Sequence, residues 1–282
     1  MRSRRWMYVV AVLASVGALG ACGQDSPEAD DVDLAHIHGL GVNPADGQLY
    51  VASHHGVFRV GEGRPEQVAG RTQDFMGFTV IGPDHFLGSG HPAPGDREQP
   101  PQLGLIESTD AAQTWQVLSL SGEADFHAME AKGGRVYGYD SVTGQILVSS
   151  DMRSWDRRTE GGVIDLAISP DNPDEVLATT RNGLARSTDG ARTFTLTGSA
   201  PALVLVDWPR TDLTVGVGPD GAAHTSSDGG AHWTARGRVP GSPRAMATHA
   251  ETDVYVATDE AIYRSADGGQ TFEAILHLQG NP

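Results

Sequence analysis

The chain has 282 residues, with 20 basic against 36 acidic side chains, a formal charge of −16, and a single cysteine. Such a balance repels phosphate backbones, so nucleic acid is not an expected partner. One cysteine allows no internal disulfide, so stability must come from a packed core, which a chain of this length can supply.

The N-terminus reads as a segment to be removed. Arg2, Arg4 and Arg5 precede an apolar run from Val9 to Leu19, and Leu19-Gly20-Ala21-Cys22 follows. A charged start, a short apolar core and small residues before a break make a signal peptide over 1–21. The run is too short to span a bilayer, which takes about 20 apolar residues. Cys22 after Leu-Gly-Ala resembles a bacterial lipobox. The resemblance implies cleavage before Cys22, diacylation there, and a lipoprotein held on the outer side of the cytoplasmic membrane, in the cell envelope. A secreted protein cut after Ala21 is the alternative, but it leaves an odd cysteine unexplained. Residues 22–31 are polar and acidic with no apolar period, and read as a lipidated cysteine and flexible tether. The domain is expected over 32–282.

That domain is built from repeats. Five segments carry a serine, an aspartate two residues on, and then an aromatic: Ser108 and Asp110 with Trp115, Ser149 and Asp151 with Trp155, Ser187 and Asp189 with Phe194, Ser226 and Asp228 with Trp233, Ser265 and Asp267 with Phe272. The aromatics recur at spacings of 40, 39, 39 and 39 residues. Between them lie short β-branched and aromatic runs such as Leu49-Tyr50-Val51-Ala52 and Val254-Tyr255-Val256-Ala257. Each follows a turn such as Pro44-Ala45-Asp46-Gly47. No window sustains a helical period. Four short strands per repeat of about 40 residues predict a propeller. The fold expected is all-β, a six-bladed β-propeller of four-stranded antiparallel blades over 32–71, 72–121, 122–160, 161–198, 199–240 and 241–282.

The five segments resemble the Asp-box, or BNR repeat, of sialidase-like and sortilin-type propellers, and the resemblance covers residues 32–278. The whole chain is similar to bacterial lipoproteins labelled glycosylhydrolase. It implies that Asp110, Asp151, Asp189, Asp228 and Asp267 are structural, each accepting backbone N–H groups in a tight turn. It also implies that these turns lie on the face opposite a functional mouth. The glycosylhydrolase label does not extend to sialidase activity: Phe58-Arg59-Val60-Gly61 departs from the sialidase Arg-Ile-Pro, and no arginine triad is evident.

Aligning the repeats exposes an asymmetry. At the start of the innermost strands His36, Asp74 and Asp125 share one column, and His38, Met76 and His127 share the next but one. After the second strands come His54 and His55, then His91, then Asp140. Blades 4 to 6 carry Gly162 and Ile164, Pro201 and Leu203, and Ser242 and Arg244 in the two inner columns. Seven of the 11 histidines fall between His36 and His127. Packing alone asks the same residues of every blade, so a polar site is expected at one mouth of blades 1 to 3. His36, His38, Met76 and His127 are candidate ligands for copper or zinc, and His54, His55, His91 and Asp140 are candidate ligand-binding residues around them. Blade 2 also inserts residues 92–103, with four prolines, as a stiff loop expected over the same mouth.

The function expected is that of an exported, lipid-anchored propeller. It would bind a small ligand, glycan, metal or envelope protein at this mouth, as a monomer. The alternative is a glycoside hydrolase using mouth carboxylates such as Asp74 and Asp125, since such chemistry needs two carboxyl groups about 5–10 Å apart.

Overall fold

The computed structural model describes residues 34, 36–61 and 64–278. The signal segment, Cys22 and the tether lie outside them. The chain divides into two units, Met1–Asp31 and Val32–Pro282, and the second is the propeller. Its strands form six four-stranded antiparallel sheets, each in sequence order. The blades run over residues 37–67, 74–119, 126–160, 163–196, 205–238 and 243–277. Among the described residues there is no α-helix, only a 3-10 turn at Val68–Gly70. None of them forms a helix able to cross a membrane.

The ring closes by packing, without exchange of a strand. The last blade is made of its own four strands. Its innermost strand, Pro243–His249, lies beside the first, Ile37–Val42. Leu40, Val51 and Phe58 of blade 1 share a core with Ala245, Tyr255 and Ile262 of blade 6. The same logic holds between blades 1 and 2, where Tyr50 and Val57 pack with Phe75, Phe86 and Trp115. Fully burying one such aromatic stabilises by roughly 1.5–3 kcal/mol. Innermost strands crowd the axis, and small residues allow it: a Cβ on Gly39 would stand 2.6 Å from the Phe78 Cβ.

Four of the five Ser-x-Asp turns share one hydrogen-bond network. In blade 4 Ser187 Oγ donates to Asp189 Oδ1 (2.8 Å) and accepts from Ala191 N (2.9 Å). Asp189 Oδ1 accepts from Thr193 N, and Oδ2 from the Thr193 hydroxyl. The turns at Asp110, Asp228 and Asp267 repeat this, with the His232 ring replacing the threonine hydroxyl in blade 5. The shorter turn at Asp151 keeps the serine and accepts from Arg153 N and Ser154 N. The step after the aspartate needs left-handed backbone. Gly190 supplies it at φ 71°, while Ala111 adopts φ 57° without glycine's freedom.

Register places these turns opposite the mouth. Asp74 pairs with His91 at the end of blade 2's second strand, while Ser108 pairs with Phe86 at that strand's start. Blade 4 behaves alike, with Val163 against Thr180 and Ser187 against Val176. The buried member of each turn is the serine: Ser187 is 1% exposed, whereas Asp189 reaches the surface. Ser187→Ala leaves a buried N–H at Ala191 without an acceptor. We predict a loss of about 1–3 kcal/mol in urea unfolding, and a smaller loss for Asp189→Ala. Equal midpoints for Ser187→Ala and the unaltered protein would contradict this role.

Candidate mouth of the first three blades

A β-bulge sets the rim. In five blades the ladder between the two innermost strands skips one residue at the same point: His38, Met76, His127, Ile164 and Arg244. A bulged residue leaves the ladder and its side chain is re-aimed. These are the residues of the second inner column, so the column read from the sequence is a column of bulges. Blade 5 lacks this bulge, and Leu203 there is buried.

The rim opens into the central channel, a cavity of about 670 Å³ lined by His36, His38 and His127 among others. Met76 is half-buried and does not line it. His36 holds a left-handed backbone at φ 57° just before the first bulge, a conformation uncommon outside glycine.

Two interblade relays occupy the mouth. In the first, His38 Nε2 lies 3.1 Å from His54 Nε2. His54 Nδ1 lies 2.7 Å from Asp74 Oδ1 of the next blade, too bent to count as a full hydrogen bond. The His38 and His54 rings meet edge to face at 4.7 Å, and His36 meets His54 at 5.0 Å. In the second, His91 Nε2 of blade 2 is 3.7 Å from Asp125 Oδ2 of blade 3. The same oxygen contacts His127 Nε2 at 2.8 Å and accepts from the Ser141 hydroxyl at 2.9 Å. Each relay joins the histidine ending one blade's second strand to the aspartate opening the next blade's first.

Burial, then the nearby His54, brings His38 down to about 4 against the pull of Asp74, so it is neutral near pH 7. Burial pushes the Asp125 carboxyl up. The His127 hydrogen bond and charge, the Ser141 hydroxyl and His91 more than offset it and hold Asp125 below the ordinary carboxylate range. Asp125 is therefore an ionised acceptor and not a proton donor.

Two of the expected ligand-binding residues also take part in turn bonding. Asp140 is fully buried and its carboxylate accepts from Asp125 N, Val142 N and the Thr143 hydroxyl, so it braces the loop that carries Asp125. His55 lies in the turn after Ser53, whose hydroxyl accepts from its N–H. The blade 2 insertion is a closed loop and not an extended strut, because Leu103 N donates to Gly90 O and His91 Nδ1 donates to Pro101 O at 2.7 Å. No group of three or more His, Cys, Asp or Glu side chains among the described residues encloses a metal-sized point.

The channel wall holds a set that periodicity alone did not single out. Lys132 Nζ lies 3.2 Å from Glu130 Oε1 and 4.0 Å from Asp207 Oδ1, and donates to Trp208 O. Asp165 accepts from Val206 N, and Asp207 from Thr248 N, each 41 residues along. Deep burial raises Asp165 to about 8, helped by Glu130 and Asp207 against two backbone N–H groups. Burial also raises Glu130 to about 7, with Lys132 opposing. Although 21% of the Glu130 side chain touches channel space, protein surrounds that space, so its charge is poorly solvated.

No protein-family model matches the chain, and no curated protein does. Solved structures do. YCF48 bound to a D1 peptide is similar at TM-score 0.55 and 16% identity, over 86% of this chain and 82% of that one. The extracellular domain of a putative one-component system from B. thetaiotaomicron is similar at 0.55 and 12%, over 89% of this chain and 36% of that one. An ancestral GH74 enzyme is similar at 0.52 and 12%, over 84% and 37%. The chain thus spans little over a third of the last two.

The folded carboxyl of Asp165 keeps its proton to about pH 8, whereas an unfolded one releases it near pH 4. Between those values the unfolded state binds fewer protons, so stability falls as pH rises and levels off above the folded value. Asp165→Asn should flatten that fall in urea midpoints measured from pH 4 to 9, and an unchanged slope would remove Asp165 as its source. At these identities the likeness to solved structures shows a fold and nothing finer: the chain is a six-bladed β-propeller.

Proposed function

We propose that the chain is an exported, lipid-anchored, sialidase-like Asp-box propeller that binds a segment of an envelope protein at the mouth of blades 1 to 3. One observation carries the reading: blades 1 to 3 join their histidines and aspartates in interblade relays at a single end of the channel, while the Ser-x-Asp turns are local braces at the other end. Imidazoles and an ionised carboxylate offer both donors and acceptors to a polypeptide backbone. The fold-level likeness to YCF48, whose structure holds a D1 peptide, supports a peptide as occupant. The likeness to a GH74 enzyme keeps a glycoside hydrolase as the second reading. Against that reading, Asp125 is held ionised, so the acid of an Asp74 and Asp125 pair must be Asp74, whose neighbour is His54.

A photocrosslinking amino acid placed at Arg244, on the rim, should trap one discrete partner in the native envelope. The same group placed at His232, beside a Ser-x-Asp turn, should trap none, and the Arg244 product should vanish when His91→Ala and Asp125→Asn are added. Identical products from both positions would overturn the binding reading. Glycan hydrolysis abolished by Asp74→Asn would replace it with the second. For the anchor, Cys22→Ser should move the protein from the detergent-rich to the aqueous phase in detergent partitioning. Unchanged partition would remove the lipid.

A further inference from the structure

The two nitrogens that face each other across the first relay define a problem in proton placement. His38 Nε2 and His54 Nε2 are 3.1 Å apart. Two N–H groups cannot point at one another at that distance, and neither can two lone pairs, so the nitrogens must share something. A proton on His54 Nδ1 would face the Asp74 carboxylate, 2.7 Å away. A neutral His54 then carries its lone pair on Nε2, aimed at His38. Either one proton or one cation fills the gap.

The geometry points to a divalent transition-metal ion, Cu2+ or Zn2+, held by His38 Nε2 and His54 Nε2 as an open two-imidazole site. This deepens the reading of the mouth as a binding site and rests on it. Two metal–nitrogen bonds of about 2.0–2.1 Å that end 3.1 Å apart subtend an angle of about 98° at the ion. That lies between the adjacent-ligand angle of tetragonal copper, about 90°, and the tetrahedral angle of zinc, about 109°. The rings stand at 87° to each other, T-shaped and unstacked, with the two Nε2 atoms brought together. Asp74 stands behind the outer nitrogen of His54, on the side where a carboxylate supports a ligating imidazole.

Local structure favours such a pair. His38 is the bulged residue of its strand, which frees its side chain from the ladder. His54 sits in the tight turn after Ser53, pinned through the next residue by the Ser53 hydroxyl. Two ligands from one blade, with the support from the next, make the site sensitive to the packing of blades 1 and 2. Among the described residues no third His, Cys, Asp or Glu side chain joins the pair, which leaves coordination positions for water or for a donor atom of the bound partner. Hard cations such as Mg2+ and Ca2+, which select oxygen ligands, should not compete.

The test uses the full processed chain, untagged, in detergent. Calorimetric titration with Cu2+ or Zn2+ should give one ion per chain, and Mg2+ or Ca2+ none. His38→Ala and His54→Ala should each weaken binding beyond the loss for Asp74→Asn, which removes only the outer support and is expected to cost about 10–100-fold. His232→Ala, whose ring bonds Asp228 at the other end of blade 5, should bind as the unaltered protein does. Thermal unfolding of each variant separates lost binding from lost fold. Electron paramagnetic resonance of the Cu2+-loaded unaltered chain should show splitting from two imidazole nitrogens, a readout that needs no variant. Absent one-to-one binding, or binding indifferent to His38→Ala and His54→Ala, overturns the site. If metal binding fails while the Arg244 crosslink persists, this inference falls alone. If the crosslink is lost as well, the reading of the mouth falls with it.

Discussion

An innermost propeller strand has one ladder edge that no strand of its own sheet can satisfy. Its N–H groups face the channel wall and the next blade, and a buried N–H without an acceptor costs about 1–3 kcal/mol. This chain meets the constraint with side chains from the preceding blade. Ser89 Oγ accepts from Phe126 N, Asp165 from Val206 N, and Asp207 from Thr248 N. Asn43 and Asp84 bridge blades 1 and 2 in the same way. Neighbouring blades are thus tied by polar atoms as well as by shared apolar layers, while blade 6 meets blade 1 through an apolar core. Those ties explain why ionisable groups line a channel that could have been apolar. They accept backbone N–H groups first, and the raised proton affinity of Asp165 follows from where the strands require it to be.

The bulge then separates structure from chemistry. Every ladder pair in the inner strands is fixed by register, and a substitution there disturbs two strands at once. A bulged residue sits outside the ladder, so its identity is free to differ. His38, Met76, His127, Ile164 and Arg244 comprise four residue types, cationic, polar and apolar, yet they occupy one structural position. The framework is repeated and the rim is not.

This division also explains what was legible in the sequence. Five blades followed from the serine, aspartate and aromatic positions and the first from its strand pattern, and the turns are legible because they are strictly local: Ser187 reaches no further than Ala191, and Asp189 no further than Thr193. The two inner columns were legible too, since aligned repeats give equivalent positions without any knowledge of pairing. That the second column is a column of bulges was not, because a bulge is a relation between two strands. The pairing of His38 with His54 depends on the turn after Ser53, which periodicity does not describe. Asp140 was read as a mouth ligand from its column alone, but its neighbours Val142 and Thr143 give its carboxylate local donors, and it became a brace. Asp165 and Asp207 stand 42 residues apart on inner strands, a regularity visible in hindsight. Without register it could not be told from chance.

The mouth is chemically polarised as a result. On the side of blades 1 to 3 the rim presents His36, His38 and His127, backed by the carboxylates of Asp74 and Asp125. On the other side it presents the exposed apolar side chain of Ile164 and the cation of Arg244. On the proposed binding reading, a ligand seated at the channel would meet imidazole nitrogens along one edge and a guanidinium along the other. Only an orientation that turns its donors toward Asp125 and its acidic or carbonyl groups toward Arg244 satisfies both. A symmetric ring of six equal blades would bind in six equivalent ways. An unequal rim would reduce these to one, with the relays between blades 1, 2 and 3 marking the direction.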